Sequence, residues 1–362
     1  MKIGIIGLPQ SGKTTIFNAL TESQAKTGDY SGIKDPNRAV VKVPDQRLDV
    51  LAEMFNPERL VPAEVEYIDV AGLTRGASDD KKSEAAYIAA IRQVDELLQV
   101  VRSFESETVF HPDGSVDPKR DIQTVNTELI LADLVLADKS AGKLEHQVKV
   151  AKTDETVRHF EILKKCKEAL EEERFIADLE FSEEELKFLA GFGLLTQKPM
   201  LYLLNMGEGE IKKPKYNRED FPALLRPSRS SLVPICGELE MEISQLEVAD
   251  RPLFMEDYGL EKSATEEVIQ ESYSLLGLIS FFTYAGPEVR AWTVKEGTSA
   301  VKAAGQIHSD MERGFIKAEV IPFQTLKELG SIQKAKEKGA LELHGKDYPI
   351  KDGDVVMFRF NV

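Results

Sequence analysis

The chain has 362 residues, 42% of them hydrophobic and 30% charged, with a formal net charge of −16. This composition is typical of a globular protein long enough for two or three domains. The negative charge argues against broad nucleic-acid binding, which depends on neutralising phosphates. No apolar run reaches the roughly 18 residues of a membrane span, there is no signal-peptide pattern, and two cysteines imply no disulfide framework. We expect a cytoplasmic protein without membrane contact or sequence-specific DNA binding.

Short apolar runs alternate with helical stretches in the first and middle parts of the chain. The helix candidate TTIFNALT (14–21) follows the first of the strand candidates, which are KIGIIGL (2–8), AEVEYIDV (63–70), ELLQVVRSF (96–104), PMLYLLNM (199–206) and SLVPICG (231–237). Strands separated by helices predict an α/β fold with a doubly wound, mostly parallel sheet.

Two intervals depart from this alternation. Residues 121–195 have helical spacing and no strand candidate, which predicts an inserted antiparallel helical hairpin. Its charges are segregated, which favours a solvated helical pair and leaves open a surface for an RNA-rich partner. From residue 278 onwards, strand-like segments separated by Gly and Pro predict a small α+β domain. The predicted domains are 1–120 with 196–277, 121–195, and 278–362.

The segment from Gly7 to Thr14 reads GLPQSGKT and fits the phosphate-loop pattern G-x-x-x-x-G-K-[ST] between a strand and a helix. Glycine lets the backbone pass close to a ligand, and the helix N-terminus favours an anion. Lys13 is expected to reach the terminal phosphates, and Thr14 to offer its hydroxyl to Mg²⁺. This pattern in this context predicts a nucleotide site.

A second motif, Asp69-Val70-Ala71-Gly72, fits the D-x-x-G of switch-type nucleotidases. Asp69 is expected to hold Mg²⁺ through a water, and the Gly72 amide to sense a γ-phosphate. The next residue is Leu73, where Ras-like GTPases have the glutamine that orients water. Any hydrolysis therefore needs another group.

The sequence NMGE (205–208) stands where a GTPase has N-K-x-D. Glu208 is one methylene longer than aspartate and Met206 replaces lysine, so guanine selectivity should fall. We expect ATP to be preferred to GTP, while a solvated turn remains the alternative for Glu208. The residues expected to bind nucleotide are Pro9, Gln10, Ser11, Gly12, Lys13, Thr14, Thr15, Gly72, Asn205, Met206 and Glu208.

These segments together resemble the YchF / Obg-like ATPase family over nearly the whole chain. The resemblance rests on GLPQSGKTTIFNALT, DVAGLTRGAS, GSVDPKRDIQTVNTELILADL, YLLNMGE, VPICGELEMEIS and, in the last part, LLGLISFFTYAGPEVRAWTVKEGTSAVKAAGQIHSDMERGFIKAEVI and GKDYPIKDGDVVMFRFNV. It implies a Ras-like P-loop domain, an inserted helical domain and a C-terminal, ubiquitin-like TGS domain. It also implies slow Mg²⁺-dependent ATP hydrolysis, ribosome association and a hydrophobic residue at Leu73.

The resemblance further implies a functional histidine before the GSVDP segment, which is His111 here, beside Lys13 as the other catalytic candidate. A histidine can position water or carry a proton near neutral pH. From its sequence position alone, a surface loop histidine is the alternative.

Two segments depart from the family pattern. Residues 29–37 read DYSGIKDPN and lack the first-switch threonine, and residues 79–88 read DDKKSEAAYI where the family has a glycine-rich second switch. Fewer glycines restrict the turns that could contact a γ-phosphate. A GTPase and a nucleotide-binding module without useful hydrolysis thus stay open beside the ATPase. A small-molecule kinase is disfavoured, because no Arg-rich lid segment is present.

Overall fold

The computed structural model describes residues 1–22, 37–70, 81–225 and 229–361, without the side chains of residues 81–84 and 285. The strands of this part of the chain are β1 (Lys2–Ile6), β2 (Asn37–Lys42), β3 (Arg59–Val61), β4 (Glu64–Asp69), β5 (Glu96–Arg102), β6 (Met200–Asn205), β7 (Ser230–Ile235), β8 (Leu278–Ala285), β9 (Glu288–Lys295), β10 (Phe315–Pro322), β11 (Glu342–His344) and β12 (Asp354–Phe360).

The helices of the same residues are α1 (Lys13–Thr21), α2 (Gln46–Phe55), α3 (Lys81–Arg92), α4 (Pro118–Val150), α5 (Asp154–Glu171), α6 (Glu183–Ala190), α7 (Gly237–Gln245), α8 (Arg251–Tyr258), α9 (Ala264–Leu275), α10 (Ala300–Ile307), α11 (Ser309–Arg313), α12 (Phe323–Leu329) and α13 (Ile332–Glu337). None of the described helices combines the length and apolar character needed to cross a bilayer.

The strands form two six-stranded sheets. In the first, with the order β2-β4-β1-β5-β6-β7, strand β1 pairs in parallel with β4 and β5, and the parallel pairing continues through β6 to β7. Its central strands are buried throughout, which explains their continuous apolar sequences. The carboxyl ends of β1, β4, β5 and β6 thus meet at one edge, where ligands bind in open α/β sheets. The predicted doubly wound sheet is confirmed.

The predicted hairpin is formed by α4 and α5. Asp117 caps α4 by accepting from the Lys119 and Arg120 amides, and Pro118 occupies the first turn, where a missing N–H costs nothing. Thr153 caps α5 and forms a capping box with Thr156. The two helices bury apolar residues against each other and against β5 and β6, including Leu129, Ile130, Ile162, Leu163, Cys166 and Leu170.

The second sheet has the order β11-β10-β12-β8-β9-β3. Phe281, Val320, Val356 and Phe358 pack with Ala300, Ala303 and Ala304 of α10, so this helix covers one face of the sheet. Two helices, α10 and α11, meet at His308.

The chain folds into two compact units, residues 1–39 with 66–268, and residues 40–65 with 269–362. Within the second unit, β3 pairs in parallel with β9, and Phe55 of α2 stacks on Tyr284 of β8 at 4.9 Å between ring centroids. The predicted first domain includes residues 40–65, which belong here to the second unit. The predicted helical insert, residues 121–195, lies within the first unit and is not a unit of its own. The three-domain boundaries therefore stay a prediction.

Candidate functional site

The phosphate loop joins β1 to α1 and requires glycine at both of its ends. Gly7 has φ +143°, and a Cβ on it would lie 2.4 Å from the Val100 carbonyl oxygen of β5. Gly12, at the N-cap of α1, has φ +95°, and a Cβ there would lie 2.3 Å from the Asn205 Nδ2 of β6. Any other residue would therefore collide with a neighbouring strand end. The first turn of α1 leaves backbone amides without intrahelical acceptors beside this loop.

Lys13 folds back onto the phosphate loop. Its Nζ donates to the carbonyl oxygens of Gly7 at 3.1 Å and Leu8 at 2.8 Å, and the residue is buried. Burial lowers the pKa of Lys13 to about 8, although the negative charge of Asp69 opposes the shift. The ammonium group is thus held in the loop by two neutral carbonyls.

Thr14 and Asp69 meet at the carboxyl ends of β1 and β4. The Thr14 hydroxyl donates to Asp69 Oδ2 at 3.1 Å, and the Asn37 amide lies 3.5 Å from the same oxygen. Both Thr14 and Asp69 are buried. A hydroxyl and a carboxylate are the hard oxygen ligands that suit Mg²⁺, so these two residues fit that ion. Gly72 and Leu73, the remaining predicted features of this motif, lie outside the described residues.

Asn205 links the phosphate loop to the start of α7. Its Nδ2 donates to the Ser11 carbonyl at 3.0 Å, and its Oδ1 accepts from the Gly237 amide, also at 3.0 Å. Asn205 is buried at the end of β6. This side chain, predicted to bind nucleotide, therefore braces the loop, a role that its sequence position did not indicate.

The other predicted base-reading residues lie on the turn after β6. Met206 is half-buried and packs with Cys236, Leu239 and Ile243. Glu208 is exposed and begins a short 3₁₀ turn, and its charge is the main cause of a raised pKa at Tyr258. Glu208 is thus in the solvated turn that the alternative interpretation described.

The remaining loop residues differ in exposure. Pro9 and Thr15 are half-buried, and Gln10 is exposed with φ +60°. Ser11 is 2% exposed, and its Oγ has no hydrogen-bond partner among the described residues. A buried hydroxyl without a partner costs free energy, which a polar ligand atom could recover.

The side chain of His111 is buried in a turn before α4. Its Nε2 lies 2.8 Å from Asp121 Oδ2, and its Nδ1 accepts from the Asp113 backbone amide at 3.1 Å. The His111 and Asp121 side chains are only 5% and 4% exposed. Both ring nitrogens are engaged, in contrast to the surface loop histidine of the alternative.

His111 and the phosphate loop line one narrow pocket. Its walls are Leu8, Pro9, Ser11, Gln99, Val100, Val101, Arg102, His111 and Asp121. Sequence reasoning missed Asp121, because its partner is ten residues away and only the fold brings the carboxylate to the ring. It also missed Gln99 and Arg102, which read as ordinary residues of a strand.

Two family models match separate parts of the chain. Residues 2–139 match a family described as 50S ribosome-binding GTPase. Residues 278–361 match the YchF-GTPase C-terminal family, described as a protein of unknown function. A protein of Bacillus subtilis with the name Ribosome-binding ATPase YchF is 42% identical to this chain, over 99% of each sequence. The chain belongs to the YchF family.

Other YchF proteins and one solved structure agree with this result. The Haemophilus ducreyi YchF protein is 40% identical over 100% of this chain and 99% of its own length. The YchF GTPase structure from Schizosaccharomyces pombe has a TM-score of 0.86 and 30% identity, covering 99% of this chain and 97% of the yeast chain. The P-loop fold and its C-terminal domain are therefore those of the YchF family.

Proposed function

We propose that this YchF family member is a Mg²⁺-dependent, slow ATPase that associates with the ribosome. The observation that carries the proposal is the buried Lys13 ammonium inside a phosphate loop next to the Thr14–Asp69 pair. The relatives named Ribosome-binding ATPase YchF support the choice of nucleotide and partner. A cytoplasmic location is proposed with it.

Polyphosphate binding follows from the chemistry of the loop. Lys13 contacts two neutral carbonyl oxygens, and phosphate oxygens are stronger acceptors for an ammonium group because they carry charge. The positive end of the α1 dipole adds to this attraction. A nucleotide that replaces the carbonyl contacts with phosphate contacts would raise the pKa of Lys13 from its depressed value.

Thr14 and Asp69 would hold Mg²⁺, the first directly and the second through a water. The ion supplies Lewis-acid neutralisation of charge on the phosphates when it is bound. In the hydrogen bond between them, the Thr14 hydroxyl donates to the carboxylate. The pair thus brings a hydroxyl oxygen and a carboxylate together beside the phosphate loop.

The turn after β6 supports ATP over GTP, with GTP as the alternative substrate. A guanine site uses a carboxylate that accepts two hydrogen bonds, whereas the Glu208 side chain is solvated and Met206 packs in an apolar cluster. Competition of unlabelled ATP and GTP for a fluorescent ATP analogue measures this preference. A tighter dissociation constant for GTP would overturn the base assignment.

For hydrolysis, we propose that His111 orients water or transfers a proton, since Leu73 cannot. Its position in the pocket shared with Leu8, Pro9 and Ser11 supports this role. The second candidate, nucleotide binding without useful hydrolysis, is favoured by the engagement of both His111 ring nitrogens.

Phosphate release by the pure protein separates the two candidates. The test variant is Lys13→Ala, and the control is Lys198→Ala, because Lys198 also donates to two backbone carbonyls and its pKa is also lowered by burial. An ATPase should lose phosphate release in the first variant and retain it in the second. Equal phosphate release by wild type and Lys13→Ala would contradict the ATPase activity.

We also propose that the helical insert and the C-terminal domain contact the ribosome. Removing residues 278–362 would take away β9, the partner of β3, so surface substitutions are the cleaner test. Charge reversal of exposed lysines on α4, such as Lys139 and Lys143, should weaken co-sedimentation with ribosomes. The assay is run both with ATP and without it. Unchanged sedimentation would argue against the insert as a contact surface.

A further inference from the structure

We propose that Asp121 is a positioning residue that holds His111 in a retracted state, and that turnover requires release of their hydrogen bond. This inference rests on the proposed role of His111 in hydrolysis. It adds an autoinhibitory contact to the site and assigns a function to a carboxylate that the nucleotide motifs do not include.

The retracted state is defined by the hydrogen bonds of the imidazole. Because Nδ1 accepts from the Asp113 amide, the proton of a neutral ring is on Nε2, which donates to Asp121. Neither nitrogen is then available to a water molecule. With 5% of the His111 side chain exposed, the ring must move before it can act on a nucleotide.

Release of His111 does not leave the Asp121 charge alone. The other carboxylate oxygen, Oδ1, accepts from Arg120 Nε at 3.0 Å and Nη2 at 2.8 Å. An unpaired buried carboxylate would cost several kcal/mol, but here the arginine contact stays. The ring can therefore leave by losing its two hydrogen bonds, to Asp121 and from the Asp113 amide, without leaving a buried charge unpaired.

The surroundings of His111 also permit movement. The preceding residue, Phe110, is 80% exposed, so its side chain anchors this segment poorly. Ser11 Oγ and Gln99 Oε1, of two other residues that line the same pocket, are buried and have no hydrogen-bond partner among the described residues. These atoms offer new polar partners to an imidazole that turns toward the phosphate loop.

Asp121→Asn weakens this contact while it keeps the shape of the side chain. The carboxylate has an acceptor oxygen for each of its two partners, but an asparagine has only one carbonyl oxygen. Arg120 and the His111 ring must then compete for it. Loss of a hydrogen bond to a charged group shifts the equilibrium toward the released ring by roughly tenfold. We expect kcat to rise by up to that factor while KM changes little.

The kinetic experiment compares wild type, Asp121→Asn, Asp121→Glu and the double variant Asp121→Asn/His111→Ala. Asp121→Glu keeps two acceptor oxygens and should turn over near the wild-type rate. The double variant should lose the gain. The control is Asp133→Asn, which removes a buried carboxylate of the same helix that pairs with Arg92 and Thr196 and has no histidine partner. It should lower stability without raising kcat.

A chemical measurement tests the contact independently of turnover. Diethyl pyrocarbonate modifies accessible imidazoles, and mass spectrometry gives the rate at His111 relative to His308, whose side chain is 63% exposed. Asp121→Asn should increase the relative rate at His111 severalfold, and Asp133→Asn should not.

The outcomes separate this inference from the proposed function. Unchanged His111 modification together with an unchanged or lower kcat in Asp121→Asn would overturn the retracted state. A rise in kcat that persists in the double variant would overturn the assignment to His111. If modification of His111 is faster in Asp121→Asn but no variant releases phosphate, the contact between His111 and Asp121 is supported. The same result would contradict the ATPase activity and would overturn the link between this contact and turnover.

Discussion

Replacement of Asn205 by alanine tests whether this side chain braces the phosphate loop. The substitution removes two buried hydrogen bonds, to the Ser11 carbonyl and from the Gly237 amide, each 3.0 Å long. Each partner then loses a bond worth about 1 kcal/mol and pays desolvation, so the free energy of local opening should fall by about 2 to 4 kcal/mol. Nucleotide affinity should fall as well, because the loop is no longer held in its binding shape.

Hydrogen exchange measures this change where it occurs. Peptides covering β1 and α1 should exchange faster in Asn205→Ala, and isothermal titration calorimetry should show weaker ATP binding. The matched control is Asn126→Ala, because Asn126 is 5% exposed but its Oδ1 has no hydrogen-bond partner among the described residues. Equal protection of the loop in wild type and Asn205→Ala would refute the brace.

Three further predictions concern other contacts. Because the pKa of Lys13 is lowered to about 8, ATP affinity in calorimetry should fall roughly tenfold from pH 7 to pH 9 with proton uptake on binding, and a flat profile would contradict the shift. The pKa of Lys13 is 10.5 in the unfolded chain and about 8 in the folded state, so the folded state releases this proton at a lower pH. The contribution of Lys13 to the free energy of unfolding of the nucleotide-free protein should therefore rise between pH 8 and 10.5, as measured by denaturation at a series of pH values. Arg47→Ala removes the pairs with Asp45 and Asp352 and a contact over Phe282; it should destabilise the second unit by roughly 1 to 2 kcal/mol in urea unfolding followed by Trp292 fluorescence. Arg59→Ala removes a side chain that is 72% exposed and lies 3.8 Å from its partner Glu288, so it should change this stability far less. Equal effects of the two substitutions would count against the Arg47 network.

The strands and the phosphate loop could be predicted from the sequence because their signals are local. The continuous apolar runs of β5 and β6 reflect burial on both faces of a parallel sheet. Gly7 and Gly12 stand where the backbone passes within contact distance of other strands. The conformation of such a motif depends on residues that are close together in the chain, so the sequence indicates it directly.

The contacts of the site residues could not be predicted, because they depend on the fold. The Asn205 amide reaches Ser11, 194 positions away in sequence, and nothing near NMGE indicates that partner. His111 reads as a loop residue until α4 places Asp121 beside it. The docking of residues 40–65 on the C-terminal sheet likewise arises from a strand pair, β3 with β9, that three residues of sequence do not reveal.

The claim that residues 7 to 15 hold a polyphosphate is tested most directly by calorimetric titration of the full chain with Mg²⁺-ATP. Wild type and Lys198→Ala should bind with the same stoichiometry near one, and Lys13→Ala should bind much more weakly, because only Lys13 lies in the loop. Equal affinity in all three proteins, or no uptake by wild type at saturating nucleotide, would contradict it.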